Sequence, residues 1–389
     1  MKKLIPLVVL LFVSIAAPAQ VVLWNLKRVE QAKQNNETAI KAIIKEADKK
    51  LPQKLITVVD KNMTPISGDK HDYMSMGRYW WPAPTKADGL PYIRKDGVSN
   101  PEIEKLDRYP LGDFAKSVEA LSLAYHISGD EKYAKKAVEN LQIWLVNKET
   151  KMNPNMNYGQ TIPGINEGKG RGEGLLDTYS FVEMLDGVEL LRKSKYFTKA
   201  DQKAVNDWFV TYLDWMLTAD VASEEQKAKN NHGTAFDVQI VRFALFVGKN
   251  DIAKKMIESF PNNRLFLQIE PNGAQPLELA RTTALGYSVF NLTHFLDMAK
   301  MATVFNINLV EVQSADGRGI LKAIDFLVPF LGTPLSDFPY KQIKEWEEVQ
   351  QKLRWQLYRV DNMQAKPMFE KYYKDHLNTK KVNTDAILY

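Results

Sequence analysis

The sequence predicts an all-α chain of paired antiparallel helices, stacked as a solenoid or closed into a toroid, in a single domain. Three observations lead there. Apolar residues recur at helical spacing along most of the chain. Two helix–glycine–acid–helix units, HISGDEKYAKKAV (126–138) and LFVGKNDIAKKMI (245–257), look like copies of one unit. Strand signals are scarce, since KLITVVD (54–60) and RLFLQIE (264–270) are short and isolated.

The elements follow in order. Residues 1–19 read as a cleavable signal peptide: a basic MKK start, an apolar run, then APA before Gln20, with the cut expected after Ala19. The apolar run is roughly 13 residues, short of the roughly 20 that span a bilayer, and no later stretch is long and apolar enough. Export to the periplasm or medium is therefore expected, with residues 20–389 as the functional domain. A first helix is expected over 31–50. DFAKSVEALSLAYHI (113–127) places Phe114, Val118, Leu121 and Tyr125 on one face. Gly129 ends that helix, an acidic residue opens the next, and EKYAKKAVENLQIWLV (131–146) completes an αα-hairpin. Further helices are read near 176–193, 199–218, 286–304 and 317–329, and a polar one over 340–355.

Composition excludes several functions. The chain has 389 residues and no cysteine, which removes disulfides, thiolate metal sites and cysteine nucleophiles. Without disulfides an exported protein needs a large core, and this chain is long enough to build one. The formal charge of +5 becomes +3 without Lys2 and Lys3, too near neutral to indicate nucleic acid. No HxxH or HExxH spacing exists, and a turn accounts for His71-Asp72, so neither metal nor other cofactor is expected.

Four stretches combine loop character with polar and aromatic residues: 68–84, 151–174, 227–236 and 268–287. Long loops of this kind carry binding sites. In NNHGTAFD (230–237), Asn230 and Asn231 can cap a helix, and Gly233 permits close approach of another segment. The stretch reads either as a plain cap or as an anion-binding corner with His232 beside it. If LELARTTALGYSVF (277–290) is one helix, Arg281 and Tyr287 lie roughly 120° apart, able to edge one groove but not to stack. Tyr287 then shares a face with His294, and Arg281 is within a turn of Glu278.

A Tyr, His, Asn and Arg set without metal suits β-elimination from a uronic acid polymer. The C5 proton, α to a carboxylate, becomes removable once donors neutralise that carboxylate and hold the developing charge. A base takes the proton and an acid protonates the leaving O4.

HDYMSMGRYWWPAP, MNPNMNYGQTIPGI, NNHGTAFDVQ and ELARTTALGYSVFNL, in this order, resemble the signature segments of the alginate lyase family of polysaccharide lyases, over about residues 30 to 350. The resemblance implies an α/α-toroid and an acidic polysaccharide substrate, alginate or a related polyuronate. It implies that Asn231 and His232 engage the uronate carboxylate, with His232 as base for one epimer. It also implies that Arg281 neutralises or orients near the cleavage point and that Tyr287 acts as acid, and as base as well on some substrates. Phe236 stands where an aromatic often follows the histidine; lacking a hydroxyl, it is assigned to packing. Arg78, Tyr79, Trp80 and Trp81 offer a carboxylate partner and flat faces for pyranose rings, although a Trp pair also suits a core. Asn155, Asn157, Tyr158 and Gln160 offer donors and acceptors, or turn chemistry. Lys169 and Arg171 suit a lid or a solvated loop. Two other readings compete. An inverting glycoside hydrolase would need two carboxyl groups among Glu167, Glu173, Asp177 and Asp237. A non-catalytic sugar-binding protein would need no paired His and Tyr.

Overall fold

The computed structural model describes residues 20–376 and 386–389. The expected signal peptide, 1–19, lies outside the described residues. The chain folds into paired helices arranged as an α/α toroid. In order they are α1 (Leu26–Asn35), α2 (Glu37–Lys50), α3 (Arg108–Ser128), α4 (Glu131–Leu141), α5 (Phe181–Leu191), α6 (Lys199–Thr218), α7 (Asp220–Gln226), α8 (Asn231–Phe246), α9 (Asn250–Phe260), α10 (Phe266–Gln268), α11 (Pro276–Leu279), α12 (Ala284–Ala302), α13 (Ile320–Leu327), α14 (Trp346–Asp361) and α15 (Glu370–Tyr373).

The inner wall runs α3, α5, α8, α12, α14, each packed on the next. Helices α5, α8 and α12 are buried on nearly all sides, which explains their all-round apolar character. Helices α4 and α9 bury one stripe against α3 and α8. The expected hairpin forms as read: the chain turns at Gly129 and Asp130 caps α4 by accepting from Lys132 N–H at 3.0 Å. Phe114 stacks on Trp144 at 5.3 Å inside it.

The ring is tied shut by its ends. Asp186 on α5, fully buried, accepts backbone N–H groups from Val22, Leu23 and Trp24 at 2.7–2.9 Å and also Arg242 Nη2 at 2.7 Å. Arg28 on α1 donates to Tyr358 Oη and, at 2.5 Å, to Asn362 Oδ1, joining α1 to the end of α14.

Several boundaries differ from expectation. The 31–50 helix is two helices, because Asn36 caps the second through Ala39 N–H. The 176–193 helix begins as a 3-10 segment over Gly172–Ser180. Neither KLITVVD nor RLFLQIE forms a strand; the latter is helical, packed beside α9. The strands that do form are short, and all but β3 lie in the polar loops: β1 (Met74–Met76) pairs parallel with β4 (Tyr158–Thr161), and β2 (Trp80–Trp81) antiparallel with β3 (Ile93–Arg94). No helix among the described residues is long and apolar enough to cross a membrane.

Candidate active site

The loops at one end of the inner helices enclose a cavity of about 600 Å³. Its wall includes Asn231, His232, Arg281 and Tyr287 together with Arg78, Tyr79, Trp80 and Gln160. Eight of the twelve residues read from the sequence as catalytic or sugar-binding thus meet at one place, and Arg171 and Glu173 join them.

The first corner is the start of α8. Asn230 is the N-cap, its Oδ1 accepting from His232 N–H at 3.3 Å. Gly233 is required by close approach: a Cβ there would lie 2.1 Å from the Ala228 carbonyl oxygen. Asn231 is fully buried and held by Glu278, whose two carboxylate oxygens accept the Asn231 backbone N–H and Nδ2, both at 2.7 Å. One amide hydrogen is thereby fixed, and the second remains for a ligand. Glu225 on α7, itself buried, takes His232 Nδ1 at 2.7 Å, leaving Nε2 for the cavity. Burial alone would lower the imidazole pKa; the Glu225 carboxylate, by charge and hydrogen bond, overrides it and raises the ring above its ordinary value.

The second corner corrects the helical reading of 277–290. Helix α11 stops at Leu279, and α12 starts only at Ala284. Between them Thr282 donates its backbone N–H and Oγ1 to Asp96 at 3.4 and 3.0 Å, which pulls the backbone out of the helix. Freed from helical geometry, Arg281 does stack: its guanidinium lies 3.7 Å from the Tyr287 ring centre, and Nη2 donates to the Tyr287 oxygen at 2.7 Å. Arg281 also grips Asp96 with two bonds, Nη2 to Oδ1 at 2.7 Å and Nε to Oδ2 at 3.3 Å. Burial opposes ionisation of Asp96, yet Arg281 and Thr282 hold its carboxyl well below the usual range. The Glu278–Arg281 surface pair does not form, because Glu278 turns inward to Asn231. Tyr287 donates to the Tyr79 hydroxyl at 3.1 Å. Burial and that neighbour raise the Tyr287 pKa, and Arg281 opposes them.

The third side comes from the 158–174 loop. Gln160 has φ of 50°, a costly value for a non-glycine residue. Its backbone N–H donates to Ser75 Oγ at 2.8 Å and its Nε2 to the Glu173 carbonyl at 2.8 Å. The glycines of GKGRGEG let two backbones cross: a Cβ at Gly174 would lie 2.5 Å from the Gly159 carbonyl carbon. This crossing sets Arg171 on the wall, bonded to Glu173 at 2.8 Å and to the Gln160 carbonyl oxygen at 3.1 Å. Arg171 is therefore a structural part of the cavity, not a solvated loop residue. Arg108 and Arg94 add two more cations, ion-paired with Asp177 at 3.0 Å and Asp96 at 2.9 Å.

Other expected residues lie elsewhere. Trp81, Asn155, Asn157 and Tyr158 are not on the cavity wall. Trp81 Nε1 donates to the Val98 carbonyl at 3.0 Å, Asn155 donates to Asp72 at 3.1 Å, and Asn157 accepts from Trp215 at 3.2 Å. Tyr158 packs beside Met74 and Met76. Phe236 is buried in the core. His294, two turns beyond Tyr287, is wholly buried against Tyr179 and Phe290, and burial lowers its pKa to about 3. Of the four candidate hydrolase carboxylates only Glu173 reaches the wall; Asp177 is taken by Arg108, Tyr73 and Ser75, and Asp237 by Arg264. His71 Nδ1 contacts the Lys151 carbonyl oxygen at 2.6 Å. No group of three His, Asp or Glu converges on a metal position among the described residues. Sequence reasoning missed Glu225, Glu278, Asp96, Arg94 and Arg108. Asp96, Glu278 and Arg108 are joined to partners distant in sequence, Glu225 sits inside a helix, and the Arg94–Asp96 pair matches no motif.

A family model described as alginate lyase matches residues 57–336. The chain belongs to the alginate lyase family. A crystal structure of an alginate lyase from Bacteroides ovatus shares 48% identity, with a TM-score of 0.87 over 94% of this chain and 95% of that one. This family member also shares its fold, at 14% identity, with alginate lyase A1-III from Sphingomonas species A1: TM-score 0.52, over 85% of this chain and 90% of the other. A histidine variant of A1-III complexed with a tetrasaccharide gives TM-score 0.57 at 14% identity, over 91% and 96%. No curated protein matches the chain. The protein is a polysaccharide lyase of this family.

Proposed function

We propose that this lyase cleaves alginate or a related polyuronate by metal-independent β-elimination, leaving a 4,5-unsaturated uronate end. One observation carries the reading: the Tyr287 phenol and the His232 imidazole line the same cavity, among five arginines. Such a wall favours a polyanion. The free amide hydrogen of Asn231 and the Nε2–H of protonated His232 take the uronate carboxylate, which lowers the cost of an enolate-like charge. Arg281, locked by Asp96, stabilises the Tyr287 oxygen whenever its proton is away. Tyr287 then gives a proton to O4 as the glycosidic bond breaks. Two routes for the C5 proton fit the geometry: Tyr287 takes it as phenolate, or His232 Nε2 takes it when the ring is neutral.

The competing hydrolase reading needs two opposed carboxyl groups; Glu173, Asp177 and Asp237 are engaged by arginines, and Glu167 is exposed beside Lys169, off the cavity wall. The reading is tested by incubating the protein with polymannuronate, polyguluronate and polyglucuronate and following the ultraviolet absorbance of the unsaturated product. Absorbance should grow on at least one. Reducing ends without any double bond would instead establish hydrolysis. Export and cleavage after Ala19 form part of the same proposal, and N-terminal sequencing of the secreted protein checks them.

A further inference from the structure

Helix α14 forms a wall of the cavity that the reaction scheme above does not use. Val349, Lys352 and Gln356 all line it. Their spacing of three and four residues puts them on one face, as a ladder along the helix axis. The ladder starts beside the catalytic corner: a Cβ at Gly286, the residue before Tyr287, would lie 3.5 Å from Val349 Cγ2. Lys352 stands about one turn, roughly 5 Å, along α14 from Val349, and Gln356 a turn beyond.

Charge distinguishes Lys352 from most cations of this wall. Arg94, Arg108, Arg171 and Arg281 each hold a protein carboxylate. Lys352 is exposed and carries no ion pair among the described residues. Gln356 is buried, and its orientation is fixed by chemistry: Arg359 Nη1 donates to it at 3.1 Å, so the acceptor must be Oε1. Its amide donor end is left for the cavity. An unpaired ammonium and an amide donor a turn apart suit a carboxylate with an adjacent hydroxyl.

We propose that Lys352 and Gln356 form a second uronate subsite, binding the carboxylate of a sugar next to the one whose proton is removed. The proposal rests on the polyuronate reading. It makes α14 a determinant of affinity for the charged chain, separate from the chemistry at Tyr287.

The test compares wild type with Lys352→Glu, Lys352→Arg and Gln356→Ala on an oligouronate long enough to fill both positions. Product absorbance gives kcat and KM, and intrinsic tryptophan fluorescence gives binding. Lys352→Glu should raise KM and the dissociation constant about tenfold while kcat falls less than about twofold. Gln356→Ala should raise both constants by a smaller factor, and Lys352→Arg should restore most of the loss. Rising salt should weaken wild-type binding more steeply than that of Lys352→Glu. Unaltered KM and binding in Lys352→Glu would overturn the subsite. If wild type never turns over but binds, and Lys352→Glu loses that binding, the subsite stands and the lyase reading of its substrate falls.

Discussion

At the residue scale the site is a set of side chains whose own freedom has been removed. Asn231 is fixed by Glu278, His232 by Glu225, and Tyr287 by Arg281, which is itself fixed by Asp96. Each anchor is chemically specific. Glu278→Gln would turn one acceptor into a donor facing the Asn231 N–H groups, so the amide loses its orientation. The expected outcome is a fall in kcat of about 10²-fold, the scale for a misaligned oxyanion donor, with the fold retained by circular dichroism. Glu225→Gln removes the charge that raises the His232 pKa. A raised histidine pKa contributes stability that is fully present below the unfolded value of 6.5 and lost as pH rises through the folded value. The stability difference between wild type and Glu225→Gln, from urea titrations, should therefore be largest below pH 6.5 and shrink at higher pH.

At the element scale the site depends on how helices begin. Helix α12 carries Tyr287 in its first turn, and its free N–H groups at Leu285 and Gly286 donate to Gln342 Oε1 at 3.0 and 3.3 Å. Gln342→Ala should cost about 1 kcal/mol, as for loss of a helix cap, and lower kcat with it; thermal melting and product absorbance check both. The start of α8 was legible from NNHG, because a cap and a close-approach glycine are local signals. The break between α11 and α12 was not. It depends on Asp96, far away in sequence, capturing Thr282 and Arg281, and without that contact the stretch reads as one helix. The α3–α4 hairpin was legible for the opposite reason: its faces, glycine turn and capping aspartate all lie within one segment. Helices buried all round, such as α5 and α12, lose the amphipathic pattern that marks boundaries, so their ends were placed only approximately.

At the scale of the whole molecule the toroid gathers residues that the sequence scatters. The family-like segments supplied the candidate catalytic corner, and the fold placed them together. Arg94, Arg108 and Lys352 join the same wall from segments with no motif, so the charge of the cavity was invisible in a sequence of net charge +5. Closure of the ring rests on Asp186, buried with three backbone N–H groups and Arg242. Asp186→Ala would leave those donors and a buried guanidinium unpaired. The expected cost is about 3–5 kcal/mol, read as a lower urea midpoint, since this is the scale for breaking a buried pair.

We propose that the Tyr287 oxygen carries the proton traffic while Asn231 and His232 hold the sugar acid. The most direct measurement is turnover of Tyr287→Phe on a polyuronate, with oligouronate binding measured on the same preparation. Binding should stay close to wild type while kcat falls by about 10²–10⁴-fold, the usual share of general acid–base catalysis. A Phe variant that binds and still forms unsaturated product at the wild-type rate would contradict this role for Tyr287.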